Sequence, residues 1–358
     1  MRRNIIFFIP SIEGGGVEKN LILLLEYLSN RYKNVYLITA NRINSKNLKN
    51  LKQIFPKKNS FKKKSRLFKS IICLYLLLNN FIFKKNLIIS FQSNILSILV
   101  SKIFNFKIII RLNTSLKKYI NNNLKLYFFK FVYSLSDKII VNSKVFYNEL
   151  CQINLKPKLI YNLLDKNKIK NKKNIFKKKV DLKILNIGRL TLQKDQSTLI
   201  KSLKILKEKK INFHCCIIGR GKLKTKLQNL IYNLKLRKFI TLIGFKSQAE
   251  KYLNECDIFV LTSKFEGLPN VLIEAQKYNV PIISSNCPTG PKEILLNGKL
   301  GDLFEPSDYK NLSQKLLSFH QNQKRLKDKS LNAKNYLNRF DLKKNLRKYE
   351  NMILNLIK

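Results

Sequence analysis

The sequence predicts an α/β protein built as two doubly wound parallel sheets, one in each half of the chain. Three observations lead there: a length of 358 residues, a series of short apolar runs separated by helical stretches, and glycines where many of those runs end. A chain of this length exceeds what one core ordinarily fills, which favours two domains. Strands covered on both faces read as unbroken apolar runs, whereas half-exposed strands alternate. The runs here are unbroken.

The first half opens with the strand Asn4 to Ile9, a glycine turn, and a helix from about Val17 to Leu28. Val35 to Ile38, Leu87 to Ile89, Lys107 to Ile110 and Lys138 to Val141 are its further strands. The lysine-rich, aperiodic stretch Asp165 to Asp181 reads as a linker. A second series follows: Leu182 to Ile187, Phe213 to Ile218, Phe239 to Ile243, Asp257 to Leu261 and Val280 to Ser284. Eight of the eleven glycines lie in this half, mostly at carboxyl ends of strands, where open α/β sheets bind ligands. Leu342 to Lys358 reads as an amphipathic helix with Leu346, Tyr349, Ile353 and Leu356 near one face. The expected domains are residues 1–165, completed by a helix at about 340–358, and residues 180–338.

Hydrophobic content of 45% and charged content of 26% suit a folded protein, but the net charge of +50 is extreme. Between Tyr27 and Ser136 there is no Asp or Glu, while Lys and Arg recur throughout. Such a field draws phosphate-rich partners: anionic lipid, nucleic acid or a diphosphate. Compositional drift toward Lys, Asn and Ile is the plainer reading of part of it. Lys57 to Lys69 and Lys117 to Phe131 mix basic with aromatic residues and are the candidate membrane-facing segments. A nucleic-acid-binding protein is the competing class, but no RNA or DNA motif accompanies the charge.

The apolar run before Pro10 is too short for a signal peptide, and Ile71 to Phe83 is too short to span a bilayer. The six cysteines form no Cys-x-x-Cys pair; Cys215, Cys216 and Cys256 sit in apolar runs, which suits small core residues in a reducing compartment. With only His214 and His320, no paired-histidine metal site is expected.

Three segments carry chemistry. In Leu261 to Ala275 a strand ends, a turn holds Gly267 and Pro269, and a helix begins near Asn270. Unpaired N–H groups at such a helix start favour a phosphate or a sugar hydroxyl. Glu266 in the loop and Glu274 in the helix suit two hydroxyl-gripping points on an extended ligand; a capped strand-turn-helix is the structural alternative. Gly188 to Asp195 places Arg189 and Lys194 in one strand-to-helix loop, a pairing that suits a diphosphate. Glu13 to Glu18 contains three successive glycines that let backbone approach an anion closely, without being Gly-x-Gly-x-x-Gly or a P-loop. Gly219-Arg220-Gly221 reads as a tight turn.

At these residues the chain resembles the retaining family 4 glycosyltransferases of the GT-B fold. The resemblance covers most of the chain and is best from Leu185 to about Pro306. Gly14 to Glu18, Gly188 to Thr191 with Lys194-Asp195, and Glu266 separated by seven residues from Glu274 carry it. Tyr161-Asn162 and Cys287 to Leu295 also fit. The resemblance implies two Rossmann-like domains facing across a cleft, with acceptor on the first and nucleotide-sugar donor on the second. It implies that Arg189, Lys194 and Glu266 serve catalysis, the two cations holding the diphosphate and Glu266 the donor sugar. Glu274 would take the ribose, and Gly188, Gly219 and the backbone of Gly267, Leu268, Pro269, Asn270 and Val271 the rest of the donor. Gly15 and Gly16 would close on the phosphate; Phe245 and Lys246 would edge the base. Arg111 and Asn113 stand where relatives carry an acceptor-side histidine, absent here since no His precedes His214. No Asp-x-Asp metal clamp is present, so neither metal nor cofactor is expected. The implied acceptor is a lipid-linked glycan at the cytoplasmic face of the cell membrane, the protein being peripheral there. A soluble transferase acting on a small or polymeric acceptor is the second enzyme reading.

Overall fold

The computed structural model describes residues 3–12, 14–43, 48, 50–57, 61, 64–114, 122–167, 169 and 175–357. The chain forms two compact units: residues 1–163 with 342–358, and residues 164–341.

The first unit holds seven parallel strands: β1 (Asn4–Phe8), β2 (Val35–Ile38), β3 (Lys52–Ile54), β4 (Asn86–Ser90), β5 (Lys107–Leu112), β6 (Lys138–Val141) and β7 (Pro157–Leu159). Their order across the sheet is β3-β2-β1-β4-β5-β6-β7. The second unit holds β8 (Leu182–Ile187), β9 (Phe213–Ile218), β10 (Ile240–Gly244), β11 (Ile258–Leu261), β12 (Ile282–Ser285) and β13 (Asp302–Phe304) in the order β10-β9-β8-β11-β12-β13. Both sheets follow the doubly wound order of dinucleotide-binding folds, with a switch point between β1 and β4 and another between β8 and β11. The edge strands β3, β7 and β13 were not expected. Each has only three residues, and none carries the long apolar run that marked the others.

Why the central strands are unbroken apolar runs is visible in β1. Successive side chains point to opposite faces, so Ile5 and Phe7 enter one core and Ile6 and Phe8 the other. The first core takes the helix Gly16–Ser29 and, through Leu346, Tyr349, Met352 and Ile353, the C-terminal helix Leu342–Ile357. Glu350 anchors that helix further, accepting from Tyr27 Oη at 2.6 Å and Tyr32 Oη at 2.9 Å. The second core takes the helices Arg66–Phe81, Asn94–Ile103, Asn123–Ser134 and Lys144–Gln152.

The chain enters the second unit at Leu164 and leaves it at Asp341, and these two residues form a parallel bridge. Of the expected linker, residues 168 and 170–174 lie outside the described residues. On the far edge of this unit, Asp302 of β13 accepts from Arg325 Nη1 at 3.0 Å and Lys329 Nζ at 2.8 Å, both on the helix Gln323–Ala333. Burial raises the Asp302 pKa, but the hydrogen bonds and charges of Arg325 and Lys329 outweigh it and hold the carboxyl below its ordinary value. A depressed carboxylate pKa contributes stability above the unfolded value, lost as pH falls through the folded one. Asp302→Asn is expected to cost on the order of 1–3 kcal/mol at pH 7, with the exposed Arg325 keeping it toward the low end. The cost should shrink as pH falls below about 4, which thermal melts of both proteins from pH 7 to pH 3 would show.

Candidate donor site in the second unit

The switch point between β8 and β11 brings two of the expected loops together. Gly188–Asp195 leaves β8, and Thr262–Pro269 leaves β11, the adjacent strand. Lys194 Nζ and the Glu266 carboxylate form an ion pair, with side chains only 14% and 7% exposed. Ser263 Oγ donates to the same Glu266 oxygen at 2.5 Å. The loops are stitched by backbone as well. Lys264 N donates to Gln193 O at 2.8 Å, Gln193 Nε2 to Phe265 O at 3.0 Å, and Thr262 Oγ1 to Lys194 O at 2.9 Å. Thr289 Oγ1 donates to the Glu266 carbonyl, which fixes the loop from the β12 side.

A buried carboxylate holding a lysine and a hydroxyl is a fixed polar centre, and its rotamer is set before any ligand arrives. Beside it the Cys287 thiol is pushed up to about 12, first by burial and then by the Glu266 charge. It stays a neutral packing residue. Arg189, one turn of loop away from Lys194, is exposed; its Nη2 lies 3.4 Å from Gln193 Oε1. The loop therefore offers one half-buried cation and one solvent-facing cation.

Close backbone approach explains two glycines. A Cβ on Gly219 would collide with the carbonyl oxygen of Gly188, and one on Gly290 with that of Gly267. Gly290 also has φ +81°, a left-handed conformation that side chains disfavour. Gly219 thus lets the end of β9 lie directly against the Arg189 loop. Leu268 and Pro269 are buried and Glu274 is 8% exposed, on the helix Asn270–Lys277 that starts immediately after the Glu266 loop. Its N-cap residue, Pro269, makes no side-chain cap hydrogen bond. Phe245, 45% exposed, lies past the end of β10 with the Arg220 guanidinium stacked over its ring at 4.4 Å. Lys246 beside it is exposed.

In the first unit the glycine turn serves its own helix. Gly15 N donates to Glu18 Oε2 at 2.6 Å, and Gly16 is the first helical residue. Arg111 and Asn113, expected on the acceptor side, are joined by a hydrogen bond, and Asn113 is partly exposed. Arg111 is 1% exposed, with Nη1 donating to Asn113 Oδ1 at 2.7 Å and Nη2 to Asn162 Oδ1 at 2.8 Å. Its guanidinium ties the end of β5 to the segment that follows β7. The residues missed from sequence were Ser263 and Gln193. The signal was present for Ser263, three residues before Glu266, but Ser-x-x-Glu is read as a helix cap and here lies in a loop.

Residues 165–336 match the family described as Glycosyl transferases group 1. An uncharacterised glycosyltransferase of Methanocaldococcus jannaschii is 33% identical over 180 residues, 47% of this chain and 44% of that protein. An N-acetylgalactosamine-N,N'-diacetylbacillosaminyl-diphospho-undecaprenol 4-alpha-N-acetylgalactosaminyltransferase of Campylobacter jejuni is 28% identical over 233 residues, 62% of each chain. These alignments thus span less than two thirds of either relative's length. The crystal structure of Anabaena Alr3699/HepE in complex with UDP superposes with a TM-score of 0.77 over 99% of this chain and all of that one, at 16% identity. That last likeness is one of fold. Two Rossmann-like domains, the second matching a glycosyl transferase group 1 domain, define a protein of the GT-B fold.

Proposed function

We propose that the chain is a retaining, metal-independent glycosyltransferase of family 4. It moves a hexose or N-acetylhexosamine from a nucleotide-sugar, UDP-linked in this reading, to a lipid-linked glycan at the inner face of the cell membrane. The observation that carries the reading is the Lys194–Glu266 pair at the switch point of a nucleotide-type sheet. Support for UDP comes from the Anabaena complex, and for a lipid-linked acceptor from the name of the Campylobacter relative. Lys194 and Arg189 would take the role that a metal plays elsewhere, neutralising charge on the departing diphosphate. With no histidine on the acceptor side, the departing phosphate itself would help deprotonate the acceptor from the same face.

A thermal-shift panel of UDP, GDP, ADP and their sugars tests the donor assignment. A nucleotide at about 100 times its Kd adds about 2.7 kcal/mol of stability, a rise of several degrees. UDP is expected to give the largest rise, and a chelator to leave both that rise and transfer intact. A panel in which no nucleotide raises the melting temperature would end the donor reading. Activity lost to chelator and restored by magnesium or manganese would end metal independence.

A further inference from the structure

The helices Arg66–Phe81, Asn94–Ile103 and Asn123–Ser134 lead into β4, β5 and β6, which are neighbours in the first sheet, and all three bury residues in the same core cluster. Parallel crossovers of one hand lay successive helices side by side on one face of a sheet. Ser70 Oγ meets Ser93 Oγ at 2.6 Å, joining the first helix to the start of the second, and the second packs on the third. Their outer faces are therefore neighbours.

Those outer faces are apolar at helical spacing. Leu67, Ile71 and Tyr75 repeat every fourth residue and are 63%, 56% and 66% exposed. Leu99 and Ile103 repeat likewise at 40% and 74%. Leu124, Tyr127 and Phe131 form the third row at 79%, 67% and 64%. Ordinary surface helices turn polar side chains outward. Isolated exposed apolar residues need no explanation, but three adjacent rows do. The opposite face of the same sheet, covered by Gly16–Ser29 and Leu342–Ile357, presents no exposed large hydrophobic residue among the described residues.

Charge selects the occupant. Exposed Lys64, Arg66, Lys84, Lys85 and Lys125 flank the rows, and the sequence from 27 to 136 contains no acidic residue. A second copy would bring two such basic faces together and be repelled. Apolar and aromatic side chains ringed by Lys and Arg match a bilayer with anionic headgroups, where aromatic rings sit at the interface and each nearby cation adds attraction. We infer that this three-helix face is a membrane-docking surface that inserts apolar side chains from all three helices into an anionic bilayer. This deepens the proposed function by naming the surface that reaches the membrane.

The test is flotation of the full chain with phosphatidylglycerol-containing vesicles and with pure phosphatidylcholine vesicles, at low and high salt, without donor or acceptor. Its outcome is thus separable from the transferase reading, which the nucleotide panel addresses. Binding to the anionic vesicles should weaken with salt. Combined Leu67→Gln, Ile71→Gln and Tyr75→Gln, on exposed positions, should lower the partition coefficient by more than about tenfold with the melting temperature unchanged. Leu124→Gln, Tyr127→Gln and Phe131→Gln should do the same on the third helix. Equal binding of the wild type to neutral vesicles would overturn the anionic assignment. Wild-type binding by both triple variants would overturn the inserted face. A dimer in lipid-free sedimentation velocity that either triple variant dissolves would assign the face to a second copy.

Discussion

Lys194→Ala is expected to lower kcat by roughly 10²–10³-fold, the loss seen when one preorganised group facing developing charge is removed. Lys194 is held by Glu266 inside the junction of two loops, which fixes where its charge sits. In the proposed reaction that charge would face the departing nucleotide, where negative charge grows, so its contact would be stronger in the transition state than with the bound donor. Glu274→Ala supplies the contrast. Glu274 lies on the helix that follows the loop, and a ribose contact contributes about equally to ground and transition states. Its removal should raise the donor KM and leave kcat nearly unchanged. Lys194→Ala leaves the buried Glu266 carboxylate without its cation, so melting temperatures must accompany the kinetics. Steady-state rates at saturating acceptor decide the matter: a Lys194→Ala defect confined to KM, with Glu274→Ala abolishing kcat, would reverse the two roles.

Gly219→Ala is the second large effect, and it acts through backbone alone. The added methyl would overlap the Gly188 carbonyl oxygen, which is part of a strand end and has no rotamer to yield. Overpacking of this kind costs about 1–3 kcal/mol, and more where the clash is with backbone. Gly188 N donates to Ile218 O at 2.9 Å and Gly219 N to Gly244 O at 3.0 Å, so the displacement spreads across three strand ends. The expected result is a melting temperature lower by at least several degrees and a donor affinity reduced more than tenfold, since the Arg189 loop moves with Gly188. Ala at Gly244, where an added Cβ would meet nothing within 4 Å, is the control. It carries only the cost of its φ of +84° and should leave donor affinity near the wild-type value. Equal loss of affinity in both variants would show that loop position is not what Gly219 protects.

Five strands of each sheet were legible because covered strands need unbroken apolar runs, and those runs stand out even in a basic sequence. The three-residue strands β3, β7 and β13 were not, since three residues are too few to show an apolar run. The loops bearing Arg189, Lys194 and Glu266, and the helix bearing Glu274, were legible from residue types after strand ends. Sequence alone could not say that Lys194 and Glu266, 72 residues apart, share one ion pair; strand order decides that, by setting β8 beside β11. The roles of Ser263 and Thr289 follow from the same convergence. That Arg111 is buried and bonded to Asn162 was likewise not legible, since those two residues lie far apart in sequence. The apolar residues of Arg66–Phe81, Asn94–Ile103 and Asn123–Ser134 could all be read as core from composition. Only the tertiary structure sorts them, because each helix has one face to give the sheet and the rows on the other face remain outside.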